Sequence, residues 1–274
     1  MLDAKLSQAS KLIDITSNIK KNIQNSRTKL LTITSGKGGV GKSTFTANIA
    51  FLLAQKDLKI AVLDADIGLA NMQVLFDIKP QYTLFEYING QKNLSEVILQ
   101  TKYKNISLIA GKSGYQYSSG TNSFVFTRLV NDIISLNQFD ILIVDTGAGL
   151  NDYVKEFLSI SENILAITTT DPSALTDVYS LLKMLAIDKD SLMLCFNHTK
   201  SYHAGETITN SLVNLAKKNR LKEDFMIKYL GSITSSENIS ITGRLRKLFV
   251  SEFPMGEITV QMQRIVEKIL INIR

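Results

Sequence analysis

One stretch near the start of the chain, Ser35–Thr44, has the residue types and the spacing needed to hold a phosphate group. Glycines stand at positions 36, 38, 39 and 41, and Gly36 to Ser43 fits the pattern G-x-x-x-x-G-K-[ST]. Glycine backbone can turn successive N–H groups inward around an anion. Lys42 can reach the β- and γ-phosphates of a nucleotide, and the Ser43 hydroxyl can bind Mg²⁺. The predicted nucleotide contacts are Gly38, Gly39, Val40, Gly41, Lys42, Ser43 and Thr44.

The residues on either side of this loop predict the elements that must position it. Residues 30–34 are apolar and rich in β-formers, and residues 45–54 have the composition of a helix. A strand, a Gly-rich loop and a helix N-terminus in this order bring partial positive charge to the anion site. A chance Gly-rich turn is the alternative, and the complete spacing between a strand and a helix disfavours it.

Three aspartates stand at the ends of predicted strands, where a parallel sheet binds its ligands. Asp145 ends the apolar run that starts at residue 140, and Asp64 and Asp66 follow the run that starts at residue 59. Asp145 fits the acid that holds Mg²⁺ in P-loop sites. The structural alternative is that Asp145 caps a helix or a turn at the end of the strand. Of the other two, one can orient the attacking water and one can support Mg²⁺ or the loop. The predicted metal ligands are Ser43, Asp64 and Asp145.

Composition limits the class of protein. The chain has 274 residues and is 45% hydrophobic, which suits an ordinary α/β domain with a substantial core. Its one cysteine, Cys195, lies in an apolar run and predicts a buried thiol in a reducing cytoplasm. No stretch has the length of a membrane span, and the N-terminus has no signal-peptide pattern. The net charge of +6 permits anionic partners without selecting one.

Strand and helix patterns alternate along the chain. They predict one doubly wound α/β domain over residues 29–256, with a mostly parallel sheet of about seven strands and helices on both faces. Residues 72–104 are predicted to be short helices and loops, and residues 111–123 an exposed, mobile loop. The predicted strands cover residues 30–34, 59–64, 106–110, 140–145, 163–170, 191–197 and 227–233.

The two ends of the chain have amphipathic patterns. Residues 1–28 place apolar side chains at helical spacing, and this extension either packs on the domain or serves as an arm for a partner. Residues 257–274 predict a final helix that either packs on the sheet or lies at an anionic membrane surface, with basic residues toward the lipid. Its apolar stripe consists of Met262, Ile265, Val266, Ile269, Leu270 and Ile273.

A second lysine, Lys37, separates this loop from an ordinary P-loop, which does not need a lysine at that position. Lys37–Thr44 resembles the deviant Walker A motif of the MinD/ParA (SIMIBI-class) ATPases. Asp64–Asn71 resembles the switch I segment of that family, and Asp145–Gly149 resembles its Walker B and switch II segments. The resemblance covers about residues 29–255.

This resemblance implies a slow switch ATPase that hydrolyses ATP to ADP and phosphate with Mg²⁺, and that forms a homodimer around the nucleotide. Lys37 would cross the interface to the partner's phosphates, Lys42 would bind the phosphates, and Asp66 would position the hydrolytic water. Asn197 matches the position that recognises adenine. Asp171 and Asp177 match interface acids of the family, and Asp177 is expected to hold Lys37 when the γ-phosphate is absent.

Within the family, the sequence is most similar to the FlhG (YlxH/FleN) group. Residues 8–12 resemble the N-terminal motif of that group, although Ser7 and Ile13 depart from it, and residues 145–149 and 169–179 are similar too. The single cysteine disfavours carriers of iron–sulfur clusters. The residues after Asp66 differ from the form usual in ParA proteins that segregate DNA, and a DNA partner is not expected.

The FlhG-like features imply a regulator of flagellar number and placement. The implied partners are the SRP-type GTPase FlhF, bound through the N-terminal extension, flagellar switch or C-ring proteins, and a flagellar transcription regulator. The implied location is the cytoplasm, at the inner face of the cell membrane and at the cell pole. The alternatives are a MinD-type division-site regulator and a ParA-type ATPase that partitions DNA or protein cargo. A small-molecule kinase would need lid arginines and an acceptor pocket, and neither is identified.

Overall fold

The structure is a computed structural model that describes residues 17–114, 124–201 and 203–273. Its sheet has eight strands in the order β3-β4-β2-β5-β1-β6-β7-β8. All pairs of neighbouring strands are parallel except β3 with β4. The strands are β1 (Lys29–Ser35), β2 (Ile60–Ala65), β3 (Ile98–Gln100), β4 (Ile106–Ile109), β5 (Ile141–Ala148), β6 (Asn163–Thr168), β7 (Ser191–Thr199) and β8 (Met226–Thr234).

Helices lie between and around these strands. The first helix, α1, is described over residues 17–25. The others are α2 (Lys42–Ala54), α3 (Met72–Leu75), α4 (Leu84–Ile88), α5 (Leu94–Val97), α6 (Val125–Ser135), α7 (Asp152–Ile160), α8 (Pro172–Leu185), α9 (Ala204–Lys218), α10 (Glu237–Arg244), α11 (Phe249–Glu252) and α12 (Glu257–Asn272). The predicted doubly wound α/β class is confirmed.

Side chains that alternate along the central strands enter apolar clusters on opposite faces of the sheet. On β1, Leu31 and Ile33 pack with α2 and α12, whereas Leu30 packs with α6 on the other face. A third cluster lies between α8 and strands β6 and β7. Both faces are therefore covered, which explains why the central strands are nearly continuous apolar runs in the sequence.

One strand was not expected. β3 lies within the stretch that was predicted to be short helices and loops, and it pairs antiparallel with β4 at the edge of the sheet. It has three residues. So short an edge strand has too few residues to show an alternating pattern, and only its pairing with β4 defines it.

The last helix packs on the domain. The side chains of Met262, Ile265, Val266 and Ile269 are buried in the same cluster as α2 and the sheet. The apolar stripe is thus part of the core, whereas Ile271 on the outer side is 82% exposed. Of the two predicted roles for this stripe, the structure shows the packed one. No helix among the described residues is long and apolar enough to span a membrane.

The described part of the N-terminal extension also packs on the domain. Ile23 is buried beside Leu30 and α6, and the Asn22 side-chain amide donates a 2.7 Å hydrogen bond to Asn131 on α6. The FlhG-like motif at residues 8–12 and most of the predicted loop at 111–123 lie outside the described residues. Cys195 is fully buried on β7, as predicted, and burial raises the pKa of its thiol.

Candidate functional site

The P-loop connects the end of β1 to the start of α2, as the sequence predicts. Gly39 and Gly41 have φ angles of +79° and +85°, which favour glycine. Gly41 is the N-cap of α2, and it has no side chain that could cap the helix. The first N–H groups of α2 are therefore available for an anion.

A buried carboxylate holds the two charged and polar P-loop side chains together. Asp145 on β5 is fully buried, and its Oδ1 atom lies 3.0 Å from the Lys42 ammonium group. The Ser43 hydroxyl donates a 2.6 Å hydrogen bond to Asp145 Oδ2. Thr46, one turn further along α2, donates a 2.8 Å hydrogen bond to Oδ1. The structure thus brings three residues predicted to act on the nucleotide into contact, and it adds Thr46, which was not predicted.

This group of atoms fits a magnesium ion. Ser43 and Asp145 supply hydroxyl and carboxylate oxygens, which are the hard ligands that Mg²⁺ prefers. Among the described residues, no group of three or more histidine, cysteine or acidic side chains could hold a metal ion. A magnesium ion here would therefore take its remaining ligands from nucleotide phosphates and water, which is the usual arrangement at sites that bind Mg²⁺ with a nucleotide.

Asp64 has a different environment from Asp145, although the two residues are paired in register on β2 and β5. The Asp64 carboxylate accepts hydrogen bonds from the backbone N–H groups of Met72, at 2.9 Å, and Asp66, at 3.4 Å. Burial, followed by the charge of Asp145, raises the pKa of Asp64 to about 7. In this structure Asp64 supports the loop between β2 and α3, which is one of its two predicted roles. Its role as a metal ligand stays a prediction.

Asp66 faces the cleft beside the P-loop. Its side chain is half-buried, and burial is the main cause of its raised pKa, opposed by the charge of Lys42. The cleft has a volume of about 580 Å³. Its walls are formed by P-loop residues, by Asp66, Ile67, Leu69, Asn71, Val74 and Leu75 after β2, by Ala148 at the end of β5 and by Tyr153 on α7. The site can thus place a carboxylate near the terminal phosphate of a bound nucleotide.

Lys37 points away from the other P-loop side chains. It is exposed, and its ammonium group donates a 2.7 Å hydrogen bond to the Ser173 hydroxyl in the first turn of α8. The expectation that Asp177 holds Lys37 is not met in this structure, because Asp177 packs against the backbone of Gly36 instead. A Cβ atom on Gly36 would lie 2.5 Å from Asp177 Cβ. Asp171 is the N-cap residue of α8, where its carboxylate accepts a 3.0 Å hydrogen bond from Thr169.

Asn197 lies on the opposite side of the P-loop. It is buried, and its side-chain amide donates a 2.9 Å hydrogen bond to the Val40 carbonyl oxygen. A Cβ atom on Gly41 would collide with this amide. The β7–β8 register is irregular at Asn197 and His198, and His198 has a φ of +55°. Asn197 therefore connects the end of β7 to the phosphate loop, and its contact with a base stays a prediction.

Sequence reasoning missed Thr46, Ser173 and Tyr153 as parts of this site. Thr46 could have been found, since it follows Lys42 by four residues and so lies on the same face of a helix that was correctly predicted. Ser173 and Tyr153 gave no such signal, because the contacts of each depend on how α8 and α7 pack beside the loop.

Comparison with known proteins is consistent with this geometry. The ParA family profile, described as "NUBPL iron-transfer P-loop NTPase", matches residues 26–270. The chain is 36% identical to the Helicobacter pylori protein named "Flagellum site-determining protein YlxH", over 88% of this chain and 82% of that protein. It is 28% identical to the Pseudomonas aeruginosa protein named "Antiactivator FleN", over 88% of this chain and 86% of that protein.

A solved structure shares the fold. The septum site-determining protein MinD of Pyrococcus horikoshii, which was solved in complex with Mg-ADP, superposes with a TM-score of 0.71 at 20% identity. The superposition covers 88% of this chain and 96% of that chain. The likeness extends over most of both chains, and it shows that the two proteins share a fold.

Proposed function

The chain belongs to the ParA family of P-loop NTPases, and on this premise we propose that it is an ATP-hydrolysing switch that dimerises around its nucleotide. The observation that carries the proposal is the contact of Asp145 with both Lys42 and Ser43, beside a cleft that Asp66 also lines. These groups match the requirements of phosphoryl transfer to water, which are a phosphate cradle, a metal site and a carboxylate for the nucleophile.

Binding begins with the loop. The N–H groups of residues 38–44 and the N-terminus of α2 receive the phosphates, and the Lys42 ammonium group neutralises part of their charge. Ser43 and Asp145 would hold Mg²⁺, which would neutralise part of the charge of the phosphates. Asn197, which donates a hydrogen bond to the Val40 carbonyl oxygen, is proposed to recognise the adenine base of ATP. The first step is thus capture of ATP in a loop that is already shaped for it.

Hydrolysis needs a water molecule that is aligned with the terminal phosphate. Asp66 is the half-buried carboxylate of the cleft, and it orients this water. Lys37 compensates the charge that develops on the phosphate, from across the interface with a second copy of the chain. Gly147 and Gly149 allow the backbone after Asp145 to approach the terminal phosphate and to move when this phosphate leaves, and the dimer then opens. The nucleotide therefore controls whether the protein is a monomer or a dimer.

The cellular role that we propose is the control of flagellar number and placement. It is supported by the names of the Helicobacter and Pseudomonas relatives, which cover most of this chain. We propose FlhF, flagellar switch or C-ring proteins and a flagellar transcription regulator as partners, and an anionic membrane surface at the cell pole as the site of action. Division-site control and partitioning of cargo are the alternatives. Transfer of an iron–sulfur cluster does not fit, because the single cysteine, Cys195, is fully buried.

Light scattering with a nucleotide tests the biochemical proposal. With ATP and Mg²⁺, the wild type should reach the mass of a dimer, whereas Lys37→Ala should stay a monomer. Asp66→Ala should remain a dimer long after the wild type has hydrolysed its ATP and returned to the monomer. A monomer for Asp66→Ala under these conditions contradicts the proposal. Counting flagella on cells that carry Asp66→Ala tests the cellular role, and an unchanged number and position would contradict it.

A further inference from the structure

The hydroxyl group of Tyr153 lies in the space that a side chain on Gly147 would fill. A Cβ atom on Gly147 would lie 2.8 Å from Tyr153 Oη and 3.2 Å from Asp66 Oδ1. The absent side chain of Gly147 thus leaves a space that is bordered by both a hydroxyl from α7 and a carboxylate from the loop after β2. Both Tyr153 and Asp66 also line the nucleotide cleft. This arrangement places Asp66, the proposed water-orienting carboxylate, beside an element outside the phosphate loop.

Tyr153 is held firmly enough to define the place of its hydroxyl. It lies in the first turn of α7, whose N-cap residue, Asn151, accepts a 3.1 Å hydrogen bond from the Val154 N–H group. The ring is partly buried against two apolar clusters, one on either side of α7. A tyrosine ring has two side-chain torsions, so packing of the ring fixes the direction of its O–H group.

The hydroxyl is available as a hydrogen-bond donor. Burial is the main cause of the raised pKa of Tyr153, and the nearby charge of Asp66 raises it further. The phenol is therefore protonated at neutral pH, and a nearby carboxylate can accept a hydrogen bond from it. Lys42 faces both groups as well, and Asp145 faces Asp66.

We propose that Tyr153 is a positioning residue for Asp66. Its hydroxyl donates toward the Asp66 carboxylate and fixes the orientation in which that carboxylate holds the attacking water. This inference rests on the proposed ATP hydrolysis and names a further residue of the same site. An aspartate can align a water molecule only if its own side-chain torsions are restrained. Tyr153, which α7 holds in place, supplies this restraint to Asp66.

Tyr153→Phe removes the hydroxyl and keeps the ring. We expect the single-turnover rate of ATP hydrolysis to fall roughly 10–150-fold, the range for loss of one hydrogen bond to a charged group. The Kd of a fluorescent ATP analogue and the melting temperature should stay at the wild-type values. Tyr87→Phe is the matched control, since the Tyr87 hydroxyl also donates to a carboxylate, that of Asp132, at 2.7 Å and away from the cleft. The control should hydrolyse ATP at the wild-type rate.

A double-mutant cycle separates positioning from general support of the fold. In the Asp66→Asn background, which lacks the carboxylate, adding Tyr153→Phe should leave the residual rate unchanged. Tyr153→Phe with the wild-type rate would overturn the inference, as would an equal loss of rate in both backgrounds. If the wild type itself hydrolyses no ATP, the proposed function and this inference fail together. If the wild type hydrolyses ATP and the cycle shows no coupling, only this inference fails.

Discussion

The ammonium group of Lys37 lies 2.7 Å from the Ser173 hydroxyl, and this contact joins the P-loop to the first turn of α8. Both side chains are exposed, so the hydrogen bond is weak and easily exchanged. The lysine that we propose to cross a dimer interface is therefore held on its own subunit by a neutral partner. A neutral partner releases a lysine more readily than a carboxylate would.

Loss of this contact should favour the dimer. In Ser173→Ala the ammonium group no longer has the hydroxyl as a partner within its own subunit, and dimerisation with ATP should strengthen by about 2–5-fold. Analytical ultracentrifugation across a range of protein concentrations measures the effect. Ser180→Ala, a serine later on α8 that bonds only to the backbone of its own helix turn, is the control. Weaker dimerisation of Ser173→Ala would contradict this role of Ser173.

Nucleotide binding should depend on the charge of Asp145. Asp145→Asn leaves the buried Lys42 without its counter-charge and removes an oxygen from the metal site. Breaking a buried ion pair in this way costs about 3–5 kcal/mol of stability. We therefore expect a large fall in the melting temperature and loss of the Mg²⁺-dependent part of nucleotide affinity, measured by fluorescence titration with and without the metal. Ser43→Ala should lose the same metal dependence while keeping most of the stability.

The P-loop should not tolerate a side chain at Gly41. The left-handed φ of +85° and the neighbouring amide of Asn197 both exclude a methyl group. Gly41→Ala should abolish nucleotide binding and destabilise the fold by about 1–3 kcal/mol. Gly243→Ala on α10 is the control, because a Cβ atom there would meet nothing within 4 Å. That control should be neutral or slightly stabilising by chemical denaturation, since alanine is favoured over glycine in helices.

Asp64 should make the free protein less stable as the pH rises. Its pKa is raised to about 7 in the folded state, above the ordinary value of 3.8, so the folded state binds more protons between these values. The stabilising contribution is complete below pH 4 and is lost as the pH rises through 7, with a slope of at most about 1.4 kcal/mol per pH unit. Asp64→Asn should flatten the pH dependence of the free energy of unfolding, measured without Mg²⁺. An unchanged slope would show that Asp64 is ionised in the folded state.

The outer side of α12 is the part of the last helix on which a membrane role can be tested without unfolding the domain. Ile265→Ala should destabilise the domain by about 2–5 kcal/mol, because Ile265 is fully buried. Ile271→Asp should leave the melting temperature unchanged, since Ile271 is 82% exposed. Co-sedimentation of Ile271→Asp with anionic vesicles and ATP then tests membrane contact. Binding equal to that of the wild type would argue against contact through this side of α12.

The elements that were predicted correctly are those that depend on residues close together in the chain. The strand, loop and helix around Lys42 follow from residue types that are adjacent in the chain, and Asp145 follows from an apolar run that ends in an acid. The last helix was predicted from residue 257 to about residue 273, and it extends from Glu257 to Asn272.

Other features depend on contacts between distant parts of the chain. Lys37 meets Ser173 rather than Asp177, and Asp177 packs against Gly36. Tyr153 and Asp66 both border the space beside Gly147 that a side chain there would fill. β3 forms because its backbone pairs with that of β4. None of these relationships has a periodicity or a motif from which it could be predicted.

The hydrogen bond from Asn197 to the Val40 carbonyl has a thermodynamic consequence. Asn197 restrains one side of the loop and Asp145 restrains the other, so both restraints exist before a nucleotide arrives. Little conformational entropy is then lost when ATP binds, because the loop does not have to be ordered by its ligand. Binding should accordingly be fast and should lack the large unfavourable entropy of coupled folding.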